Sequence, residues 1–282
     1  MKFDLLKSHA KINLSLGVIK KLKSGYHEIE SLASFIDLYD EIKIKKINSK
    51  NHKIFFSGKF SNSIKKENTI STLLKILDKK NLLKGKKYFI KIKKNIPQKS
   101  GLGGGSMNAS SIIRFFLNKK ILKISKSNLL ELCKQIGNDV QLGIDRKNKI
   151  LFSNGKLESS SKKLRLFVII AKPKFGCSTQ KIYKGIKNYS KKKLSKKIKN
   201  YFSLPNIVNL QNDLEKVAFK YYPVLKNVKF FMDKLPNVRF VRMTGSGSSI
   251  VGYFLLKNQA IKAAKLFKKK YINYWCITSK TI

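Results

Sequence analysis

Four glycines occupy five consecutive positions, 101–105, and this segment is the part of the sequence best suited to bind an anion. An apolar, strand-like stretch precedes it and a helical pattern follows, so free backbone N–H groups and a helix dipole would both face a phosphate. It has no Gly-Lys-Ser/Thr, and the third glycine of a G-x-G-x-x-G motif is replaced by Ser106, so neither common nucleotide motif fits. Ser100 and Ser106 can add hydroxyl ligands for phosphate or Mg²⁺.

Two charged residues elsewhere could act on a bound phosphate. Asp139 lies in "QIGNDVQLG" after the end of a predicted helix, where the helix dipole favours cations over carboxylates. It is either a loop-capping residue or a catalytic base, and the local sequence leaves both open. Lys11 lies beside Asn13 on the polar face of a predicted strand, but by composition it is one of 57 lysines.

The elements that would position these residues follow from hydrophobic periodicity. Alternation predicts strands at 12–18, 40–47 and 87–96, the last ending before a proline. A helix is predicted after the glycines, with Ser106 as its N-cap, and a second helix is predicted to end at Gly137. "KSGYHE" at 23–28 is typical of a glycine turn.

The second half begins after a polar stretch, 153–163, which predicts a boundary between domains at 1–157 and 158–282. A buried strand is predicted at 164–173, and two strands around a Gly-Ser turn are predicted in "VRFVRMTGSGSSIVGYFL". Helices are predicted near 211–221, 224–234 and 258–269, and "NYWCITSK" predicts a last strand. Strands and helices mix without βαβ regularity, which indicates the α+β class.

The formal charge of +47 has two interpretations, a surface for nucleic acid or compositional enrichment in lysine. Only five of the 62 cationic residues are arginines. Proteins that recognise nucleic-acid phosphates and bases usually rely on the bidentate guanidinium of arginine, so compositional enrichment in lysine is favoured. Three scattered cysteines indicate reduced thiols, and the first 21 residues do not have the pattern of a signal peptide. No apolar run approaches the roughly 20 residues of a membrane helix. We therefore expect a cytoplasmic protein without a membrane partner.

Three motifs occur in the order seen in the GHMP kinases, a superfamily of small-molecule kinases: "AKINLSL" at 10–16, "GYHE" at 25–28 and "PQKSGLGGGSMNAS" at 97–110. "GNDV" at 137–140 and "MTGSGSS" at 243–249 resemble its remaining two motifs. The resemblance implies a two-domain α+β fold. Its N-terminal domain would be like ribosomal protein S5 domain 2, and its C-terminal domain would be ferredoxin-like.

The resemblance also implies a reaction. The first two motifs are similar to those of members that transfer the γ-phosphate of ATP to the 2-hydroxyl of 4-diphosphocytidyl-2-C-methyl-D-erythritol in the non-mevalonate isoprenoid pathway. Asp139 would be the general base, with Lys11 beside it and Mg²⁺ bridging the phosphates, with Ser106 as a metal ligand. The implied ATP-binding residues are Asn68, Pro97, Gln98, Lys99, Ser100, Gly101, Leu102, Gly103, Gly104, Gly105, Ser106 and Met107.

On the acceptor side, the resemblance implies a cytosine ring held between aromatic side chains. Tyr26 and His27 match one part of that site and Tyr183 matches the second stacking aromatic. Asn13 and Thr179 match positions that contact the substrate. Tyr183 could instead belong to the core, and His27 could be a structural donor in a loop.

The sequence leaves two alternative functions open. The chain could be a homoserine or mevalonate type of GHMP kinase, although "GYHE" favours a cytidine substrate. It could also be a lysine-rich nucleic-acid-binding protein on the same fold, although we expect no specific nucleic-acid partner and a monomer or weak homodimer. The chain departs from the family pattern at His9, Asn138, Gln141 and Met107, while Lys11 and Asp139 keep the catalytic residue types.

Overall fold

The computed structural model of the protein describes residues 2–62, 64–194 and 200–282, so part of the lysine-rich run at 189–202 lies outside the described residues. The elements follow in this order: β1 (Asp4–Lys21), β2 (His27–Ile47), β3 (Lys53–Ser57), α1 (Thr69–Lys79), β4 (Lys87–Lys93), α2 (Gly104–Asn118), α3 (Lys126–Ile136), a 3₁₀ helix (Val140–Gly143), β5 (Asn148–Leu151), β6 (Leu157–Ser160), β7 (Phe167–Lys172), α4 (Thr179–Lys184), α5 (Leu204–Val208), α6 (Leu214–Tyr221), α7 (Pro223–Asp233), β8 (Phe240–Met243), β9 (Ile250–Phe254), α8 (Lys257–Lys270) and β10 (Trp275–Lys280).

Contacts divide the chain into two compact units. Unit 1 contains Met1–Ala10, Leu38–Gln98 and Gly103–Arg146, and unit 2 contains Lys11–Asp37, Lys99–Leu102 and Lys147–Ile282. Each unit is therefore discontinuous in sequence. The boundary predicted at 157/158 stays a prediction.

Unit 1 packs strands against helices. The second half of β2 pairs antiparallel with β4, and β4 pairs in parallel with β3. Alternation places one apolar face of these strands against α1 and α2, as the sequence predicted. The core of unit 1 includes Ile42, Ile44, Leu73, Leu77, Ile90, Ile92, Ile112 and Phe116.

Unit 2 contains a four-stranded antiparallel sheet in the order β10-β7-β9-β8. In chain order its strands run βαββαβ, which is the ferredoxin-like arrangement, so the predicted class and this part of the predicted fold are confirmed. The central strand β7 is buried from Val168 to Lys172, which explains its unbroken apolar sequence. The strands β8 and β9 flank the Gly-Ser turn as predicted.

One local prediction is wrong. Ser106 is not the N-cap of α2, because the helix already begins at Gly104 after Gly103, whose φ of 69° is a left-handed conformation that glycine adopts without strain. The polar stretch 153–163, where the domain boundary is predicted, contains β6, which pairs with β5. Gly137 ends α3 as predicted.

Candidate active site

The glycine segment of unit 1 leads directly into α2. The first intrahelical bond of α2 runs from the Met107 N–H to the Gly103 carbonyl at 2.9 Å. The N–H groups of the turn before it have no partner within the helix, which makes this end suited to an anion. Gly104 lies close to the residues that follow β4. A Cβ on Gly104 would be 3.0 Å from the Ile96 side chain and 3.5 Å from the ammonium of Lys94.

The N-terminus of α1 is fastened to the same glycines. Asn68 caps α1, its Oδ1 accepting from the N–H groups of Ile70 and Ser71 at 3.0 and 3.2 Å. The neighbouring Thr69 hydroxyl donates to the Gly105 carbonyl at 3.0 Å. Thr69 was not predicted as a site residue, although its position after a capping asparagine is a signal for a helix start.

The segment that carries Asp139 lies against α2. Asp139 follows the end of α3 and directly precedes the 3₁₀ helix. The Ser110 hydroxyl on α2 donates to the Val140 carbonyl at 2.5 Å, and Arg114 donates to the Gly143 carbonyl at 3.0 Å. A Cβ on Gly143 would lie 2.6 Å from the Cβ of Ser110, so this approach requires glycine. The Asp139 turn is thus held on the first turns of α2.

In unit 2, Lys11 and Asn13 are buried on β1. Their side chains are 3% and 5% exposed, so Lys11 is not a surface lysine and the predicted polar face of this strand does not face solvent. The Lys11 ammonium donates to Asn13 Oδ1 at 2.6 Å, and Asn13 Nδ2 donates to the Ser31 hydroxyl at 2.8 Å. A buried lysine is costly unless such oxygens surround it.

Backbone and hydroxyl contacts fix β1 to the start of the glycine segment. The Lys11 N–H donates to the Leu102 carbonyl at 3.0 Å, and the Asn13 N–H donates to the Thr244 hydroxyl at 3.0 Å. Thr244 in turn donates to the Gly101 carbonyl at 3.1 Å. Thr244 was within a recognised motif but was not predicted as a site residue, because its partners are 143 and 231 positions away.

The predicted acceptor residues also lie in unit 2. The rings of His27 and Tyr183 have centroids 5.2 Å apart at an interplanar angle of 37°. Burial, and then the charge of Lys21, lower the pKa of His27, which favours the neutral imidazole. Tyr26 is 68% exposed, and the Thr179 hydroxyl lies 2.8 Å from the hydroxyl of Ser246.

The predicted site residues therefore form two described groups. Unit 1 holds Asn68, Pro97, Gln98, Asp139 and the glycine segment from Gly103 to Met107. Unit 2 holds the segment from Lys99 to Leu102 together with Lys11, Asn13, Tyr26, His27, Thr179 and Tyr183. The pairing of Lys11 with Asp139 stays a prediction.

Metal-binding clusters and membrane-spanning helices are absent from the part of the chain that the structure describes. There, no group of three or more His, Cys, Asp or Glu side chains could hold a metal ion, and no helix is long and apolar enough to cross a membrane. Burial raises the pKa of the thiols of Cys133, Cys177 and Cys276 to about 11, which disfavours thiolate chemistry.

Comparison with known proteins relates this arrangement to one group of kinases. Residues 67–146 match the GHMP kinases N terminal domain. A 4-diphosphocytidyl-2-C-methyl-D-erythritol kinase of Pelagibacter ubique is 52% identical over 277 residues, covering 98% of each chain. The Caldicellulosiruptor saccharolyticus protein of the same name is 35% identical over 95% of each.

Solved structures agree on the fold. A crystal structure of 4-(cytidine 5'-diphospho)-2C-methyl-D-erythritol kinase superposes with a TM-score of 0.81 at 22% identity, covering 99% of each chain. A homoserine kinase from Cytophaga hutchinsonii gives a TM-score of 0.67 at 16% identity over 100% of this chain and 97% of its own. The predicted two-domain GHMP kinase fold is confirmed.

Proposed function

The chain belongs to the 4-diphosphocytidyl-2-C-methyl-D-erythritol kinase family, and we propose from this premise which of its residues perform each part of the reaction. The protein is an ATP-dependent small-molecule kinase of isoprenoid precursor biosynthesis, and its acceptor is the 2-hydroxyl of 4-diphosphocytidyl-2-C-methyl-D-erythritol. The single observation that carries this function is the 52% identity with the Pelagibacter ubique kinase across 98% of both chains.

The glycine segment binds the ATP phosphates in this proposal. Residues 97–107 line the phosphates, and Gly104 to Ser106 supply backbone N–H groups at the start of α2, where a phosphate gains from the helix dipole. The bond from Thr69 to Gly105 supports the proposal, because it holds these N–H groups in place without using them. Asn68 lies near the nucleotide base in this proposal and acts by ordering the start of α1. Its Nδ2 donates to the Lys65 carbonyl and its Oδ1 accepts from the Ile70 N–H, so both amide atoms already bond the backbone.

Asp139 acts as the general base. As the acceptor's 2-hydroxyl oxygen forms a bond to the γ-phosphorus, its proton passes to the Asp139 carboxylate, and the bond from γ-phosphorus to the bridging oxygen breaks to release ADP. The anchoring of the neighbouring Val140 to Ser110 supports this role, because a base must be held in position. Lys11 supplies positive charge that stabilises the negative charge developing on the acceptor oxygen.

Mg²⁺ suits the oxygen donors of this segment. The hydroxyl of Ser106 lies in the first turn of α2, and a Cβ on Gly137 would be 3.8 Å from it, so it faces the Asp139 turn within unit 1. Magnesium is usually bound by one or two protein ligands together with substrate phosphates rather than by an all-protein cage. Ser106 would hold the ion, whose charge would neutralise that of the transferring phosphate.

The acceptor is held by the unit 2 residues. Tyr26 and Tyr183 stack against the cytosine, and a neutral His27 donates and accepts hydrogen bonds at its edge. Asn13 and Thr179 contact the remainder of the substrate. We further propose that the enzyme works in the cytoplasm as a monomer or weak homodimer, without a specific nucleic-acid partner and with a domain boundary near 157/158.

The test is ADP release from the purified protein with Mg·ATP and one acceptor at a time. We expect release with the cytidine substrate and not with homoserine or mevalonate. Asp139→Asn should retain ATP binding but lose at least about 10²-fold in kcat, since general base catalysis contributes that much. Asp145→Asn, an exposed carboxylate six residues later, is the matched control and should keep normal kcat. Near-normal turnover of Asp139→Asn would exclude it as the base.

A further inference from the structure

A strap of residues 188–194 is fixed to the strands that carry the acceptor residues. The N–H of Ser190 donates to the Val18 carbonyl of β1 at 2.8 Å. The carboxylate of Glu30 on β2 accepts from the N–H groups of Lys193 and Leu194 at 2.6 and 3.2 Å. Glu30 is only 4% exposed, and a buried carboxylate held by two backbone donors makes a strong, directional anchor.

Further contacts link the strap to the residue next to His27. Glu28 binds the ammonium of Lys192 at 3.6 Å and that of Lys20 at 3.0 Å. Lys192 belongs to the strap and Lys20 to the end of β1. The strap therefore has a backbone bond to β1, bonds to a β2 carboxylate and an ion pair beside the predicted acceptor residue, which leaves it little freedom to move away.

This fixed strap brings a second tyrosine to His27. The centroids of the Tyr189 and His27 rings are 6.4 Å apart at an interplanar angle of 37°, in addition to the 5.2 Å contact between Tyr183 and His27. Tyr189 remains 44% exposed, so it gains less from burial than a core aromatic would. Aromatic pairs at these separations favour defined relative orientations.

We propose that Tyr189 is a positioning residue for the acceptor, which packs on the His27 ring together with Tyr183 and fixes the direction of its two nitrogens. The inference rests on the proposed role of His27 toward the cytosine. A cytosine edge presents donor and acceptor atoms at set positions, so an imidazole held at one orientation selects this base better than one that rotates freely. The ligand concerned is a cytidine diphosphate-linked alcohol.

The test compares steady-state kinetics of Tyr189→Ala, Tyr189→Phe and the unchanged enzyme. An aromatic contact of the usual strength corresponds to a rise of about 3- to 10-fold in KM for the cytidine substrate in Tyr189→Ala. The value of kcat and the KM for ATP should stay within about twofold. Tyr189→Phe, which keeps the ring, should restore the normal KM. Phe230→Ala removes a 62% exposed aromatic ring from α7 as the matched control and should change neither constant.

Binding of cytidine 5'-diphosphate without ATP, measured by calorimetry, should weaken in Tyr189→Ala by the same factor as KM rises. His27→Ala distinguishes a failure of the proposed acceptor site from a failure of the positioning role of Tyr189. If His27→Ala leaves KM for the cytidine substrate unchanged, the proposed acceptor site itself is wrong. If His27→Ala raises KM while Tyr189→Ala does not, or if Tyr189→Phe is as impaired as Tyr189→Ala, only the positioning role of Tyr189 is overturned.

Discussion

Replacing Gly101 by alanine tests how the glycine segment is held against Thr244. Gly101 has a φ of 76°, and a Cβ there would lie 2.0 Å from the Thr244 carbonyl oxygen. The left-handed conformation alone costs an alanine about 1–2 kcal/mol. Relief of the overlap requires the backbone to move by about 1 Å, because non-bonded carbon and oxygen atoms need more than about 3 Å. That movement disrupts the bonds from Thr244 to Gly101 and from Lys11 to Leu102.

Each lost hydrogen bond costs about 0.5–1.5 kcal/mol, so the free energy of unfolding should fall by about 2–5 kcal/mol in Gly101→Ala. Gly155→Ala is the matched control, because Gly155 has a φ of 79° but no atom within 4 Å of the added Cβ. It should lose only about 1–2 kcal/mol, the cost of its backbone conformation.

Urea denaturation measures both free energies, and steady-state kinetics measures KM for ATP. We expect a higher KM for ATP in Gly101→Ala and a normal value in Gly155→Ala. Equal destabilisation of the two variants would refute the steric argument. Loss of stability in Gly101→Ala with an unchanged KM for ATP would instead separate this contact from nucleotide binding.

Two further predictions concern acidic residues of unit 1. Asp40 is fully buried and binds the ammonium of Lys94, so Asp40→Asn should lower the free energy of unfolding in urea by about 3–5 kcal/mol, and a loss below 1 kcal/mol would contradict the ion pair. For Asp78, partial burial is outweighed by hydrogen bonds from Lys87 and His52, so its pKa is lowered. Its stabilisation is therefore present above the unfolded pKa of about 3.9 and lost as pH falls through the folded pKa. Stability of Asp78→Asn should fall less steeply below pH 5, and an unchanged slope would contradict this.

The regular elements could be predicted because their patterns are local. The alternation around Ile90 and the unbroken apolar run of β7 each match one strand geometry, and the structure has strands there. The start of α2 is where the N-cap predicted from local residue preference is wrong. Serine is a good capping residue, but the left-handed φ of Gly103 turns the chain into the helix three residues before Ser106.

Contacts between distant residues explain what the sequence could not show. Asn13 alternates with apolar residues and was predicted to lie on a polar face, yet Ser31 and Thr244 cover its amide and backbone. Tyr189 lies in a lysine-rich run that periodicity left ambiguous, and the anchoring of this run by Val18 and Glu30 brings it to His27. Such pairings depend on the sheet as a whole and have no local signature.

Burial, rather than charge, distinguishes the lysines and arginines that bond the backbone and stabilise the fold from the many lysines at the surface. Among the described residues, buried cations use both carboxylate and uncharged oxygen partners. Lys94 binds Asp40, but Lys172 donates to the carbonyls of Pro173 and Phe175, each at 2.9 Å. Arg242 likewise donates to backbone carbonyls, and burial lowers the pKa of both Lys172 and Arg242. Hydrogen bonds to fixed backbone carbonyls offset the free-energy cost of desolvating these cations, and the same bonds hold loops in place. Lys11 differs from these cations in donating to a side-chain amide, and its 3% exposure separates it from the surface lysines.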